Sequence, residues 1–223
     1  EDANVIAKAV GVTLTARQGA PMCGVPYHTA EVYIDKLVAQ GFKIAIAEQV
    51  EDPKAGKGLM QRKVVRTITP GTLMNSQLLV DKAPNYFASV VQIGSMFGLA
   101  LIDVTTAQFT AFEFEKAQDL IDELCRARPA EFLVSKKLQK AHPLLLKELS
   151  FHFPFSTTEK EEGFFDGELA QGVLLEHFSV HSLDGFGLKG QMAAIAAAGA
   201  LLGYLKRDLQ MMLESILSIR TDS

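Results

Sequence analysis

The sequence predicts an α/β protein with two units: a small mixed-sheet α/β domain, followed by a domain built on an antiparallel meander. Three observations support this prediction. Helical and alternating patterns follow each other through residues 1–70, residues 71–85 have turn signals but no sustained periodicity, and three strand-like runs follow closely after Tyr86. With 223 residues, of which 48% are hydrophobic and 22% charged, the chain can bury a core in each unit. We therefore expect a domain at 1–70, a linker at 71–85 and a domain at 86–223.

The first unit alternates helices with strands, which favours a partly parallel sheet. Apolar residues at helical spacing stop at Gly11, and a second helix stops at Gly41, which is typical of a left-handed C-terminal residue. The expected elements are a helix at 3–10, a strand at 12–15, a helix at 29–40, and strands at 43–50 and 63–69.

The second unit begins with strands joined by turns at Gly94-Ser95 and Thr105-Thr106. The expected strands are 86–93, 97–105, 108–114, 131–135 and 151–155. The expected helices are 116–127, a short one around 144–149, 167–178, and 191–209.

Composition excludes several classes of protein. Cys23 and Cys125 form no CxxC pair, so neither a disulfide framework nor a zinc ribbon is predicted, and a reducing cytoplasm fits best. The most apolar run, residues 192–205, is shorter than the roughly 18 to 20 residues of a membrane span, so we expect a buried helix. The chain opens without Met or a signal sequence, and we expect a piece of a longer protein.

Charge is distributed unevenly along the chain. Residues 1–70 hold nine Lys and Arg against seven Asp and Glu, a net charge of +2, whereas residues 86–223 hold twelve against eighteen, a net charge of −6. This asymmetry suggests that the two units have different partners.

Cys23 and His28, in the run PMCGVPYH, raise the question of a metal site or a nucleophilic pair. Zinc commonly takes four ligands in recognisable pairs, and no second Cys or His lies nearby. A nucleophile would also need an oriented base. We expect a turn residue at Cys23 and a helix start at His28.

The second unit has the chain order of ribonuclease H-like folds, whose nucleases hold metal ions with clustered carboxylates. Asp103, Glu113 and Asp122 are the candidate acids, but YFASVVQI, the first strand, has none. We therefore expect Asp103 to be a strand-end or turn residue, and a metal-dependent nuclease is kept as an alternative.

Basic residues gather at Lys54, Lys57, Arg62, Lys63 and Arg66. They could follow a phosphate backbone or form a solvated loop. If all five met phosphates, the slope of log K against log salt concentration would be about −4 to −5. The run AGKG lacks the upstream glycine and the Ser or Thr of a nucleotide-binding P-loop.

A family resemblance favours the first alternative. It is carried by the run PMCGVPYHTAEVYIDKLVAQGFKIAIAEQVEDP, followed by GLMQRKVVRTITPGTL. These stretches closely resemble the first domain of the bacterial MutS family of mismatch-recognition proteins. The family's motifs P-M-x-G-V-P-Y-H, A-I-x-E-Q and R-x-V-V-R-x-x-T-P-G-T occur in the same order. RPAEFL, and LDGFGL before the alanine-rich helix, resemble the family's connector domain, which has a ribonuclease H-like fold without its active site. The resemblance covers essentially the whole chain.

The resemblance implies that the first unit supports mismatch recognition. The family wedges a Phe from a Phe-x-Glu stretch into the minor groove and kinks the duplex. That stretch is not in this sequence, so we expect weak DNA binding without mismatch preference. The residues implied to lie nearest DNA are Arg17, Met22, Arg62, Lys63 and Arg66, with Arg62 and Arg66 meeting phosphates rather than bases.

For the intact protein the resemblance implies ATP and Mg²⁺ at an ATPase domain, a MutL-like partner on the connector, a homodimer or tetramer, and a nucleoid-associated place in the bacterial cytoplasm. For these 223 residues we expect no catalysis, no cofactor and no metal. A module that binds only proteins is the second alternative.

Overall fold

The computed structural model describes residues 1–49, 61–73 and 84–221. Lys54 and Lys57, with nearly all of the loop predicted before the strand at 63–69, lie outside the described residues, as do residues 74–83 of the predicted linker.

The first unit contains two helices and four strands among its described residues. They are α1 Asp2–Val10, β1 Leu14–Arg17, β2 Ala20–Cys23, α2 Ala30–Ala39, β3 Ile44–Gln49 and β4 Arg62–Ile68. Gly11, at a φ of 71°, and Gly41, at a φ of 90°, follow the two helices in the left-handed region, as predicted. A small core joins α2, β3 and β4, formed by Val38, Ile68 and Leu73 with Ile44 and Ile46 beside them.

Strand pairing in the described part of the first unit is antiparallel throughout. β1 pairs with β2 and β3 pairs with β4, so the parallel pairing expected here is not seen among these residues. β2 was not predicted. Gln18 and Gly19 have φ values of 50° and 80°, the two positive φ values of a tight hairpin turn, and they return the chain at once onto β1.

The second unit contains six strands and five α-helices among its described residues. The strands are β5 Phe87–Ile93, β6 Met96–Asp103, β7 Gln108–Phe114, β8 Glu131–Ser135, β9 Ser156–Lys160 and β10 Arg220–Thr221. The helices are α3 Ala117–Ala127, α4 Lys136–Ala141, α5 Pro143–His152, α6 Gly167–Phe178 and α7 Met192–Gly203.

The six strands form one mixed sheet in the order β10-β7-β6-β5-β8-β9. The predicted meander β5-β6-β7 is antiparallel, whereas β8 and β9 extend it in parallel and β10 runs parallel to β7. Alternate residues of β5 enter two cores: Phe87 and Val91 pack with α6 and α7, and Ala88 and Val90 pack with α3 and α5. The α/β class is confirmed, and the mixed sheet lies in the second unit.

Two glycines allow α7 to approach its neighbours. A Cβ on Gly98 of β6 would lie 1.9 Å from the carbonyl oxygen of Ala193, and one on Gly199 would lie 2.2 Å from that of Ala170 on α6. The alanine-rich helix is buried on all sides from Ala193 to Gly203. Among the described residues, no helix combines the length and the apolar composition needed to cross a bilayer.

The strand predicted at 151–155 is wrong. α5 extends to His152, and the strand is β9, five residues farther along. Phe153 and Phe155 instead pack around Phe132, with ring centroids 6.5 and 4.7 Å from its own. Pro154 between them has no N–H for a strand ladder.

Candidate nucleic-acid interface

The β1–β2 hairpin carries the first two predicted contact residues on one face. Arg17 pairs with Ala20 and Thr15 pairs with Met22, so Arg17 and Met22 lie diagonally across from each other. The Thr15 hydroxyl donates to the carbonyl oxygen of Met22 over 2.9 Å and holds this register. Both side chains are exposed, with 43% of Met22 accessible to solvent. The hairpin therefore presents one cation beside one flexible apolar side chain.

β4 carries the other three, and a register shift divides them between its two faces. Arg66 opposes Ile46, but Val64 opposes Ala47, so Val65 is an extra residue in the strand. Beyond it, Lys63 opposes Glu48 and therefore shares the face of Arg66. Arg62, opposite Gln49, shares the other face with Val64. All three basic side chains are exposed.

Arg66 lies on the face that packs against α2 and forms an ion pair there. One of its terminal nitrogens lies 3.1 and 3.3 Å from the two carboxylate oxygens of Glu31. The Arg66 and Glu31 side chains are 50% and 68% exposed, so water competes for both partners. Breaking this pair costs little free energy, so Arg66 can leave Glu31 for another anionic group.

Arg66 also borders the second unit. A cleft of about 470 Å³ separates β4 and α2 from the segment after α7, with Glu31, Asp35 and Arg66 on one side and residues 210–212 on the other. Arg62 lies about 10 Å farther along the strand, because it opposes Gln49, three residues beyond the partner of Arg66. The basic residues of β4 therefore do not share one environment.

Cys23 and His28 do not form a reactive pair in this arrangement. Cys23 ends β2 and is half-buried, while His28 is exposed in a short 3₁₀ turn, Tyr27–Thr29, that leads into α2. Over the described ranges, no three His, Cys, Asp or Glu side chains come together as a metal site. His28 thus lies at the helix start, as the sequence predicted.

Asp103, the first candidate nuclease acid, is a turn residue at the end of β6. Its fully buried carboxylate accepts the Thr105 and Thr106 backbone N–H groups at 2.8 and 3.4 Å and the Thr105 hydroxyl at 2.5 Å. Its second oxygen accepts the Asn85 backbone N–H at 3.3 Å. The expectation of a turn residue is confirmed, and Asp103 also ties the start of the second unit to the sheet.

Glu113 and Asp122 are likewise engaged elsewhere. The Glu113 carboxylate accepts the backbone N–H groups of Ala193 and Ala194 at 2.8 and 3.1 Å, which satisfies donors in the first turn of α7. Asp122 accepts the Gln118 side chain within α3 at 2.9 Å. The nuclease alternative finds no support in this geometry.

The sequence reasoning missed a charged junction between the two units, formed by Lys43, Gly71, Glu131 and Thr158. Glu131 opens β8 and is fully buried. Its carboxylate receives the Lys43 ammonium at 3.0 Å, the Thr158 hydroxyl at 2.6 Å and the Gly71 backbone N–H at 3.1 Å. The signal for it was a single carboxylate opening the apolar run EFLVS.

Tyr204, directly after α7, borders this junction. Burial raises the pKa of its hydroxyl to about 12; the hydrogen bond with Thr158 opposes that shift, and Glu131 and Asp208 add to it. Tyr204 therefore stays neutral beside the buried carboxylate at physiological pH. Lys43 also donates to the Thr157 carbonyl at 3.1 Å and to the Thr158 hydroxyl, so the junction is satisfied on several sides.

Two family models match the chain in series. One described as MutS domain I matches residues 1–77, and one described as MutS domain II matches residues 85–216. The first match includes the hairpin and β4, and the second includes Glu131 and five of the six strands of the sheet.

Curated proteins similar to the chain are named DNA mismatch repair protein MutS. The protein of Protochlamydia amoebophila (strain UWE25) is 50% identical over 220 residues, which cover 99% of this chain and 26% of that protein. That of Chlamydia abortus (strain DSM 27085 / S26/3) is 42% identical over 219 residues, covering 97% and 26%. That of Syntrophobacter fumaroxidans (strain DSM 10017 / MPOB) is 44% identical over 216 residues, covering 94% and 24%. The chain thus spans about a quarter of the length of these relatives.

Proposed function

Because the chain belongs to the MutS family of DNA mismatch repair proteins, we propose that it forms the part of such a protein that holds mispaired or looped-out DNA. In this proposal the first unit contacts the duplex and the second connects it to the rest of the molecule. The observation that carries the proposal is the serial match of MutS domains I and II to the two units. The division proposed is 1–70, a linker at 71–85, and 86–223.

Five exposed side chains are proposed to face the DNA. Arg62 and Lys63 extend from opposite faces of β4 and can meet different phosphates, and Arg66 joins them when it leaves Glu31. Arg17 supplies a fourth cation, and Met22 beside it supplies an apolar contact for a sugar or a base edge. Their exposure and their charge support this assignment.

Binding by these residues is proposed to be weak and without mismatch preference. The sequence contains no Phe-x-Glu stretch, and phosphate contacts alone do not discriminate bases. Selectivity for a mispair requires a wedge that exploits its easier deformation.

The second unit is proposed to serve as a connector that binds a MutL-like protein. Its excess of acidic residues favours a protein partner over DNA. The same proposal gives the longer protein ATP and Mg²⁺ in an ATPase domain, a dimeric or tetrameric assembly and a nucleoid-associated cytoplasmic location, while these 223 residues catalyse nothing.

Salt-dependent DNA binding tests the proposal. Three phosphate contacts from β4 give a slope of log K against log salt concentration of about −2.7, and each further contact adds about −0.9. Replacing Arg62, Lys63 and Arg66 together by glutamine should make the slope on duplex DNA less negative by up to about 2.7.

A matched control removes the same charge from the second unit, at three lysines of α4: Lys136, Lys137 and Lys140. This control should leave the slope unchanged. Equal slopes for wild type and the β4 variant would overturn the DNA-facing assignment and favour a module that binds only proteins.

A further inference from the structure

We propose that Glu131 is a positioning residue that fixes the first unit on the second, and that its buried charge depends on Lys43. The inference concerns how the two units are held together, and it stands whether or not the first unit binds DNA.

The Glu131 carboxylate joins three separate parts of the chain. Lys43 comes from the first unit, Gly71 from the segment that leaves it, and Thr158 from β9 of the second unit. Glu131 itself lies in the sheet, paired with Phe87 of β5 and Ser156 of β9. Its position is therefore set by the second unit, and its partners bring the first unit to it.

Lys43 is held in place by the end of α2. After the helix, the Gly41 and Phe42 backbone N–H groups donate to the carbonyl oxygens of Val38 and Leu37 at 2.9 and 3.1 Å. The next residue, Ile44, begins β3 and packs in the small core of the first unit. The ammonium group is therefore tied to the core of the first unit through a short, packed segment.

Gly71 is equally constrained. It lies in a 3₁₀ turn, Pro70–Thr72, whose ends are joined by reciprocal hydrogen bonds between Thr69 and Thr72. A Cβ on Gly71 would lie 2.8 Å from the ring of Phe87, so the backbone approaches β5 as closely as glycine permits. The Asn85 side-chain amide donates to the Pro70 carbonyl at 2.9 Å, which fixes both sides of the linker beside the junction.

Lys43 and Glu131 are buried to different degrees, so loss of one charge should disturb the junction more than loss of the other. Glu131 is fully buried, whereas Lys43 keeps 34% of its side chain exposed. Without Lys43, the buried carboxylate would keep only neutral donors among its described contacts, which is costly. Without the negative charge, Lys43 can turn to water. Loss of Lys43 should therefore disturb the junction more than loss of the charge on Glu131.

Hydrogen exchange at the Gly71 amide measures this directly, because that N–H donates to Glu131 and is released when the junction opens. In the 223-residue chain, Lys43→Met should raise the exchange rate of Gly71 by roughly tenfold or more. Glu131→Gln can keep its amide oxygen on the Gly71 N–H while its amide nitrogen takes the place of the oxygen that faced Lys43, which can turn to water, so it should raise the rate less. The double variant should exchange more slowly than Lys43→Met alone, because it removes the unpaired buried charge.

Lys8→Met in the first unit and Glu148→Gln in the second are matched controls at exposed positions. Both should leave the exchange rate of the Gly71 amide unchanged. The amide of Ala100, in the centre of the sheet, reports the stability of the second unit in every variant. If Lys43→Met unfolds the second unit, the double variant should still recover slow exchange at Ala100.

Recovery in the double variant supports the proposal, since a lost packing contact would not be restored by a second substitution. The proposal is overturned if Lys43→Met leaves Gly71 protected. It is equally overturned if the Gly71 amide exchanges as fast in the double variant as in Lys43→Met, or faster.

Discussion

The ion pair between Arg66 and Glu31 predicts that removing an acidic residue will strengthen DNA binding. Both side chains are at least half exposed, and such pairs contribute about 0 to 1 kcal/mol. In Glu31→Gln, Arg66 no longer gives up this interaction when it turns to a phosphate. A gain of up to 1 kcal/mol corresponds to a dissociation constant lower by up to about fivefold.

The assay is fluorescence anisotropy of a labelled duplex at low ionic strength, with Glu31→Gln, Arg66→Gln and the double variant measured together. The tightening should disappear in the Arg66→Gln background, because the released guanidinium carries it. Asp2→Asn, an exposed acid in α1, controls for the general loss of negative charge. The reasoning would be refuted if Glu31→Gln did not lower the dissociation constant, or if it lowered it equally in the Arg66→Gln background.

Two further predictions concern the second unit. Gly98→Ala places a methyl group against a backbone carbonyl of α7 and should destabilise the unit by roughly 3 kcal/mol. Its melting temperature should fall by about 6 to 12 °C. Gly172→Ala is the control, because nothing lies within 4 Å of the added methyl group, and it should not destabilise the unit. Asp103→Asn should cost roughly 1 to 3 kcal/mol in urea unfolding, because its new amide group faces the Asn85 N–H. Neither wild type nor Asp103→Asn should cleave DNA with Mg²⁺; cleavage that the substitution abolishes would restore the nuclease alternative.

Elements with a strong local pattern were predicted well from the sequence. β7 and β8 coincide with the runs QFTAFEF and EFLVS, and α6 coincides with the predicted helix at 167–178. Gly94 lies at a φ of 59° in the predicted turn between β5 and β6. Alternation, helical spacing and turn residues act over a few positions, so a single sequence contains them.

Features that depend on distant partners were not predicted. β9 lies at Ser156–Lys160, in the polar run STTEK, because β8 supplies its ladder, while the more apolar run before it packs as an aromatic cluster. The register shift at Val65 moves Lys63 to the face of Arg66 although alternation would place it opposite. The three cations of β4, close together in sequence, therefore do not form one basic surface.

Three carboxylates show how the same chemical group serves one structural purpose in the second unit. Asp103 accepts the backbone N–H of Asn85, Glu113 accepts two backbone N–H groups in the first turn of α7, and Glu131 accepts that of Gly71. Each acid lies on the central sheet, and each donor belongs to a segment at least 18 residues away. A carboxylate whose oxygens accept backbone donors stabilises those contacts strongly and has fewer lone pairs for a metal ion. On a sheet whose strand order is that of ribonuclease H-like folds, these three acids instead hold the linker, the helix α7 and the first unit in place.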